Sequence, residues 1–413
     1  MKIITFYLPQ FHEIPENNEW WGKGFTEWVN VKKAQPLYEG HEQPRVPLNE
    51  NYYNLLDPNV QVWQAKIAKE YGVYGFCYYH YWFNGKLLLE KPMENMLKNR
   101  DIDIPFCVCW ANEPWTRAWV GETKVLIPQL YGEKREWKEH FDYLLPFFKD
   151  SRYICDDGKP LVVIYRPEVI ECLNEMLDYW NELAIQEGFE GLTYAYQNID
   201  FDLKADKDDS RFKYNIEFQP LYARHDMFKN NHKYIKALRR KVAAFVEKNF
   251  GFDLMRYGVG FFNKSNQISY DEAWNKILTR KPETEKNVPG AFVGWDNTPR
   301  KGERGEIFVG DTPEKFEKYL TQQIIRAKNI YSKDMIFMYA WNEWAEGGYL
   351  EPDTRSGYKN LEAIRLEEII YYQYSHLLFS PVQFHRFPYN FIPVIFLADK
   401  VSCLILHFHN HFR

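Results

Sequence analysis

The chain has little of what marks a membrane, disulfide-bonded, nucleotide-binding or nucleic-acid-binding protein. Its 413 residues contain no run of about 18 apolar residues, so no membrane span is expected. Met1 leads straight into the strand-like Lys2–Leu8, without a basic segment and an apolar leader, so no signal peptide is expected either. The 6 cysteines form no CxxC pair and no Cys/His metal spacing. Cys107 and Cys109 alternate within an apolar run, as core filling does. A reducing, cytoplasmic setting without disulfides, metal or other cofactor follows as the expectation. No G-x-G-x-x-G follows any strand-like run, which argues against a dinucleotide fold. Lys and Arg total 52 against 57 Asp and Glu, net −5, with no basic stripe, so nucleic acid is not an expected partner.

Aromatic residues are what the chain has in excess: 18%, with 14 Trp, 30 Tyr and 30 Phe. Many stand in polar company, as in WWGKGFTEW, CYYHYWFNG and WANEPWTRAW. A large core absorbs some of them. The rest suit a polar ligand with flat apolar faces, which describes a sugar.

Short apolar runs alternate with helical patterns along most of the chain. The runs are Lys2–Leu8, Val73–Tyr79, Pro105–Trp110, Lys159–Tyr165, Leu192–Tyr196, Tyr214–Phe218, Ala291–Gly294 and Met335–Ala340. Helices are expected from Asp57 to about Tyr71, Leu87–Lys98, Glu133–Phe148, Cys172–Glu187 and Thr312–Lys328, with a closing helix from Asn360 to about Tyr374. Strands alternating with helices mean parallel βαβ units, and eight of them predict a (β/α)8 TIM barrel with long βα loops. A doubly wound open sheet is the runner-up. The segment from Gln10 to about Asn54 reads as a long functional loop, with Glu27 and Trp28 as lid candidates. A basic insertion, about Tyr222 to Pro289, carries Lys233, Lys236, Arg239, Arg240 and Lys241, which read as a solvated helix face. Residues 1–372 are expected to form the barrel. Residues 373–413 form a C-terminal extension, open to three roles: packing on the barrel, a subunit contact, or peripheral contact with a membrane surface.

In such a barrel the strand C-termini open onto one face, where reactive groups gather. Polar and aromatic residues recur there: Tyr165, Gln197 and Asn198, and with them Tyr7, Tyr78, His80, Trp110, Asn112, Glu113, Glu217, Trp295 and Asp296. Each of the last nine is a candidate sugar contact, and most have a plainer reading. Tyr78, His80, Trp110 and Trp295 could pack in the core, Glu113 could pair with Arg117, and Glu217 and Asp296 could support other side chains. The last strand is the most pointed case. Met335–Ala340 runs out into Trp341, Asn342, Glu343, Trp344, Ala345, Glu346 and two glycines. Two carboxylates three residues apart, between tryptophans, suit acid/base work on a sugar. An ordinary strand-to-helix turn would look similar.

The blocks FYLPQFHEIPENNEWWGKGFTEWVNV, YGFCYYHYWFNGKLLLEKP, CWANEPWTRAW, GWDNTPRKGERG and AWNEWAEGGYLEPD resemble WbsX-type proteins over roughly residues 1–370. These are similar to glycoside hydrolase family 99 and occur in bacterial O-antigen and capsule biosynthesis loci. The resemblance implies a metal-free retaining glycosidase on a (β/α)8 barrel, acting on an α-linked glycan. Its N-E-W-x-E motif stands here as Asn342 to Glu346. By that resemblance Glu346 is the general acid. Glu343 is the base that takes the proton of the sugar's own 2-hydroxyl, giving a 1,2-anhydro intermediate. Ala345 replaces the family's histidine, which implies a changed subsite. For this chemistry Trp341 and Trp344 are expected to wall the acid and raise its pKa, while Asn342 keeps its partner ionised. The expected partner is therefore an oligo- or polysaccharide. Two other classes stay open. A nucleotide-sugar glycosyltransferase would need a diphosphate site, for which the DKDD of Asp206–Asp209 offers aspartates in a polar loop. A non-catalytic glycan-binding barrel would not need the two glutamates.

Overall fold

A computed structural model of the chain describes residues 1–116, 125–198, 208–228 and 266–365. All lie within one compact unit, Met1–Ile370. Arg117, the basic cluster of residues 233–241 and the extension 373–413 lie outside the described residues.

The eight expected strands are present as β1 (Lys2–Tyr7), β2 (Gly75–Phe83), β3 (Phe106–Trp110), β4 (Lys159–Ile164), β5 (Thr193–Asn198), β6 (Phe212–Glu217), β7 (Asn287–Val288 with Gly290–Phe292) and β8 (Met335–Tyr339). Each pairs in parallel with its sequence neighbour from β1 to β6, and β8 returns to β1, with Lys2 beside Met335. The fold is a (β/α)8 barrel. The ring is completed by β7, split at Pro289, a residue with no N–H to give a ladder. Asn287–Val288 pairs with β6 and Gly290–Phe292 with β8. The Pro289 carbonyl still accepts from Phe337 N at 3.3 Å. Gly290 is required here, because a Cβ on it would stand 1.8 Å from the Glu217 carbonyl oxygen.

The strands are buried on both faces, as the unbroken apolar runs of a covered parallel sheet require. The described helices are α1 (Pro15–Trp21), α2 (Glu27–Lys33), α3 (Pro58–Glu70), α4 (Lys91–Lys98), α5 (Lys134–Phe148), α6 (Leu173–Gln186), α7 (Leu221–Phe228), α8 (Tyr270–Thr279), α9 (Thr298–Lys301) and α10 (Pro313–Asn329). Asp57 caps α3 through the Asn59 N–H at 2.9 Å, with Pro58 at the first helical position. Thr312 caps α10 through Lys315 N at 3.3 Å. Helix α5 buries Trp137, His140, Phe141, Leu144, Phe147 and Phe148, a three-four spacing that turns one stripe to the sheet. A final helix begins at 359 and continues to the last described residue, 365.

The long segment after β1 is not a free lid. It contains α1 and α2, and Trp28 packs its ring 5.3 Å from that of Trp344 and donates Nε1–H to the Tyr53 carbonyl at 2.8 Å. No described helix is long and apolar enough to cross a membrane.

Candidate active site

The turn after β8 is tied down from its first residue. The Trp341 N–H donates to the Phe6 carbonyl at 2.8 Å. Asn342 Oδ1 accepts from Leu8 N at 2.8 Å, and its Nδ2 donates to Leu8 O at 3.0 Å. A single 3-10 turn, Trp344–Glu346, follows and ends at Gly347, whose φ of 63° favours glycine. The chain then doubles back, with Glu343 beside Gly348. A Cβ on Gly348 would lie 2.3 Å from the Tyr339 ring, so only glycine lets the turn lie on that ring. The Tyr339 hydroxyl donates to Glu346 Oε2 in a short hydrogen bond.

The second half of the site comes from β7. Asp296 accepts from His41 Nε2 at 2.8 Å, Gln43 Nε2 at 2.6 Å and Thr298 Oγ at 2.6 Å. His41 Nδ1 accepts from Leu37 N, which leaves its proton on Nε2 to be donated. Burial pushes the Asp296 carboxyl up, but hydrogen bonds from His41, Thr298 and Gln43 outweigh it and hold the pKa below the ordinary value. This knot fixes the start of α9, which carries Arg300 into the mouth of the barrel. There the guanidinium meets three carboxylates: Nε to Glu27 at 2.8 Å, Nη2 to Glu343 at 2.9 Å and Nη1 to Glu346 at 2.6 Å. Glu27 is the first residue of α2. Side-chain exposure rises from 0% at Glu27 to 6% at Glu343 and 17% at Glu346, so Glu346 is the member nearest solvent.

Burial raises the Glu343 pKa to about 8; Arg300 opposes this, while Glu346 and Glu27 add to it. Among the described residues no hydrogen bond reaches Glu343 Oε1. Tyrosines complete the surroundings. Tyr79, Tyr81 and Tyr339 interact electrostatically with Glu343, and Tyr165 with Glu346. Gln197 Nε2 donates to the Tyr79 hydroxyl at 3.3 Å. Towards the rim Trp115 meets Trp20 and Tyr81 edge-on, with ring centroids 5.5 and 5.4 Å apart.

Several expected sugar contacts are corrected by where their side chains go. Tyr7 donates to Gln64 of α3 at 2.7 Å, and the Tyr78 hydroxyl accepts from Gln61 of the same helix at 3.3 Å. His80 is hydrogen-bonded to His140 of α5 at 2.9 Å, and burial lowers its pKa to about 3. Trp110 packs on His140 and on Trp180 of α6. All four lie between sheet and helices. The inward-facing residues of β2 are instead their neighbours Tyr79 and Tyr81. Glu217 also turns outward, accepting from Asn287 Nδ2 at 2.9 Å and Tyr331 OH at 3.0 Å. Asn112 is spent on the backbone of Arg166, and Glu113 pairs with the Arg166 guanidinium at 2.6 Å. Asn342 is a backbone bracket rather than a neighbour that keeps a carboxylate ionised. Trp344 stacks on Tyr349 at 3.8 Å and donates Nε1–H to Glu351 at 2.6 Å, so its polar edge points away from the glutamate pair. Trp341 is fully buried. The pair therefore does not sit between two tryptophan walls; it is clamped by an arginine. Asp296 is a support for α9. Trp295 stays beside the site, its ring 5.4 Å from Tyr339 and its buried Nε1 without a hydrogen-bond partner among the described residues.

Tyr165 stands among the expected strand-end residues, whereas the sequence does not single out Arg300, Tyr339, Tyr79 or Tyr81. A signal existed for one of them: an arginine following a strand end that already carries Asp296 is a natural counter-charge for glutamates at the next strand end.

The (β/α)8 barrel defines the class of fold, and solved structures share it. The chain is similar to a GH99 endo-alpha-mannosidase from Bacteroides thetaiotaomicron, with TM-score 0.54 and 13% identity, covering 90% of this chain and 97% of that one. It is also similar to a glycoside hydrolase-like protein, with TM-score 0.51 and 12% identity, covering 89% and 93%. More specifically, the chain belongs to the family described as Glycosyltransferase WbsX, whose model matches residues 3–364. WxcX proteins from two strains of Xanthomonas campestris pv. campestris are 35% identical to it over 368 residues, 88% of this chain. The chain spans about half, 49%, of the length of these relatives.

Proposed function

We propose that the protein cleaves or transfers an α-linked bacterial glycan with retention, using Glu343 and Glu346 as its proton-transfer pair. The observation that carries this reading is the clamp. Two glutamates from one turn at the mouth of the barrel share one buried arginine, and among the described residues no hydrogen bond reaches one oxygen of Glu343. In the proposed reaction Glu343 Oε1 takes the proton of the sugar 2-hydroxyl as O2 bonds to C1. The glycosidic bond breaks, and Glu346 gives its proton to the leaving oxygen. Water, or an acceptor sugar, then opens the 1,2-anhydro ring.

The fold similarity and the N-E-W-x-E motif support this reading. The family's description favours a second one, transfer from a nucleotide sugar. Against a diphosphate site in the DKDD segment, Asp208 pairs with Arg211 at 2.6 Å and Asp209 with Lys286 at 2.9 Å. Both stand just before β6, at the end of the strands opposite the mouth.

Incubation with O-antigen or capsule fragments, with and without nucleotide sugars, tests the choice by product mass and anomeric configuration. Glu346→Gln is expected to lose most activity on a natural glycan, on the order of 10²–10⁴-fold, and far less on an aryl glycoside whose leaving group needs no proton. Glu343→Gln is expected to fail on both. Equal loss on both substrates for Glu346→Gln removes its acid role, and products formed only with a nucleotide sugar present favour transfer.

A further inference from the structure

One guanidinium faces three carboxyls in this site, and the third has no part in the proposed proton transfers. Glu27 is fully buried. Its Oε1 takes the Arg300 Nε–H at 2.8 Å and a weaker donation from Asn30 at 3.3 Å, while its Oε2 is buried with no hydrogen-bond partner among the described residues. A polar oxygen left bare inside a protein is costly, so Glu27 is poorly explained as a packing residue.

Charge explains it. A carboxyl beside an arginine is driven towards its ionised form. Two carboxyls on an unopposed guanidinium would both be held as carboxylates, and neither could carry a proton to a leaving group. We propose that Glu27 is a positioning residue: it takes up the charge of Arg300, so that the guanidinium fixes Glu343 and Glu346 in place without forcing both to be ionised. This role presupposes the proton exchange with a glycan proposed above.

The groups facing Glu343 come from five places. Arg300 projects from α9, Glu27 from α2, Tyr339 from β8, Tyr79 and Tyr81 from β2, and Glu346 from its own turn. Burial raises the hydroxyl pKa of all three tyrosines, so they stay neutral. Among the described residues, the balance at Glu343 is therefore set by Arg300, Glu27 and Glu346. The position of Glu27 is itself secured by the fold. Its N–H donates to the Gln10 carbonyl at 2.9 Å, and the next residue, Trp28, packs on Trp344 of the catalytic turn.

The test is a pH titration of protein labelled with 13C at the glutamate δ-carboxyl, with Glu343→Gln identifying the Glu343 resonance. Glu27→Gln is expected to lower the Glu343 midpoint by about one pH unit or more. Arg300→Gln is expected to raise it, and the double variant to return it towards the parent value. Glu27→Asp, which keeps the charge, is expected to shift it little. An unchanged midpoint in folded Glu27→Gln, or shifts of the same sign in both single variants, overturns the proposal. Should Glu27→Gln fail to fold, Arg300→Gln decides alone, an unchanged or lowered midpoint counting against it. The titration uses no substrate. Absence of glycan cleavage would therefore sink the carboxyl-pair reading and leave the electrostatic result standing.

Discussion

Arg300 changes what a pair of glutamates three residues apart can do. Burial drives Glu343 towards the neutral acid; the guanidinium opposes this and orients both carboxyls. The balance leaves Glu343 with a pKa raised to about 8. A raised carboxyl pKa means that the group is protonated below that pH and ionised above it. If Glu343 is the base, kcat/KM rises roughly tenfold per pH unit on the acid side and levels off near pH 8. The measurement is kcat/KM from pH 5 to 9 on an aryl glycoside, where leaving-group protonation matters least. A profile that falls through pH 8 would make Glu343 the acid and exchange the two roles. At this scale the sequence was half legible. Glu343 and Glu346 announce themselves, because carboxylates are out of place where a buried strand ends. Arg300 did not, although it stands in the GWDNTPRKGERG block, because its partners lie 273 and 43 residues away.

Between neighbouring elements, two asparagines do the same work at two strand ends. Asn342 after β8 and Asn112 after β3 each accept from one backbone N–H and donate to the carbonyl of the same residue, Leu8 and Arg166 respectively. Each side chain adds a rung to the sheet where the strand itself has stopped. Asn342→Ala leaves both polar groups of Leu8 unmatched inside the protein and is expected to cost about 2–6 kcal/mol, from about 1–3 kcal/mol for each unsatisfied group. The loss is read by denaturant unfolding; a change below about 0.5 kcal/mol would show the rung to be idle. Read as residues, these asparagines resemble sugar ligands, since the same amide that matches a hydroxyl matches a peptide group. Strand phase misled in a related way. Tyr78 and Tyr79, then His80 and Tyr81, are aromatic on both faces of β2, so apolar alternation could not say which points inward. The wrong phase puts Tyr78 and His80 at the mouth, whereas the structure turns them to α3 and α5.

On the scale of the whole molecule the barrel was legible, because eight buried runs alternating with amphipathic helices leave few other arrangements. The break in β7 was less so, since one strand that serves β6 before Pro289 and β8 after it looks like a single short run. The closed barrel also imposes a cost that depends on pH. Glu217 is enclosed between β6, β7 and the segment after α10, and burial, partly offset by Asn287, Arg280 and Tyr331, raises its pKa from the ordinary 4.5 to about 7. The folded state then binds a proton that the unfolded chain releases. By linkage, this carboxyl's contribution to stability is greatest below about pH 4.5, declines as pH rises, and levels off above about pH 7. The full difference is on the order of 3 kcal/mol. Glu217→Gln keeps both hydrogen bonds, its oxygen accepting from Asn287 and its amide donating to the Tyr331 hydroxyl. The variant should therefore match the parent protein near pH 4.5 and become progressively more stable than it towards pH 8. Thermal unfolding of the two proteins across that range reads the difference directly. A constant offset, with no growth as pH rises, would mean that Glu217 is ionised throughout and that its neighbours already compensate for its burial.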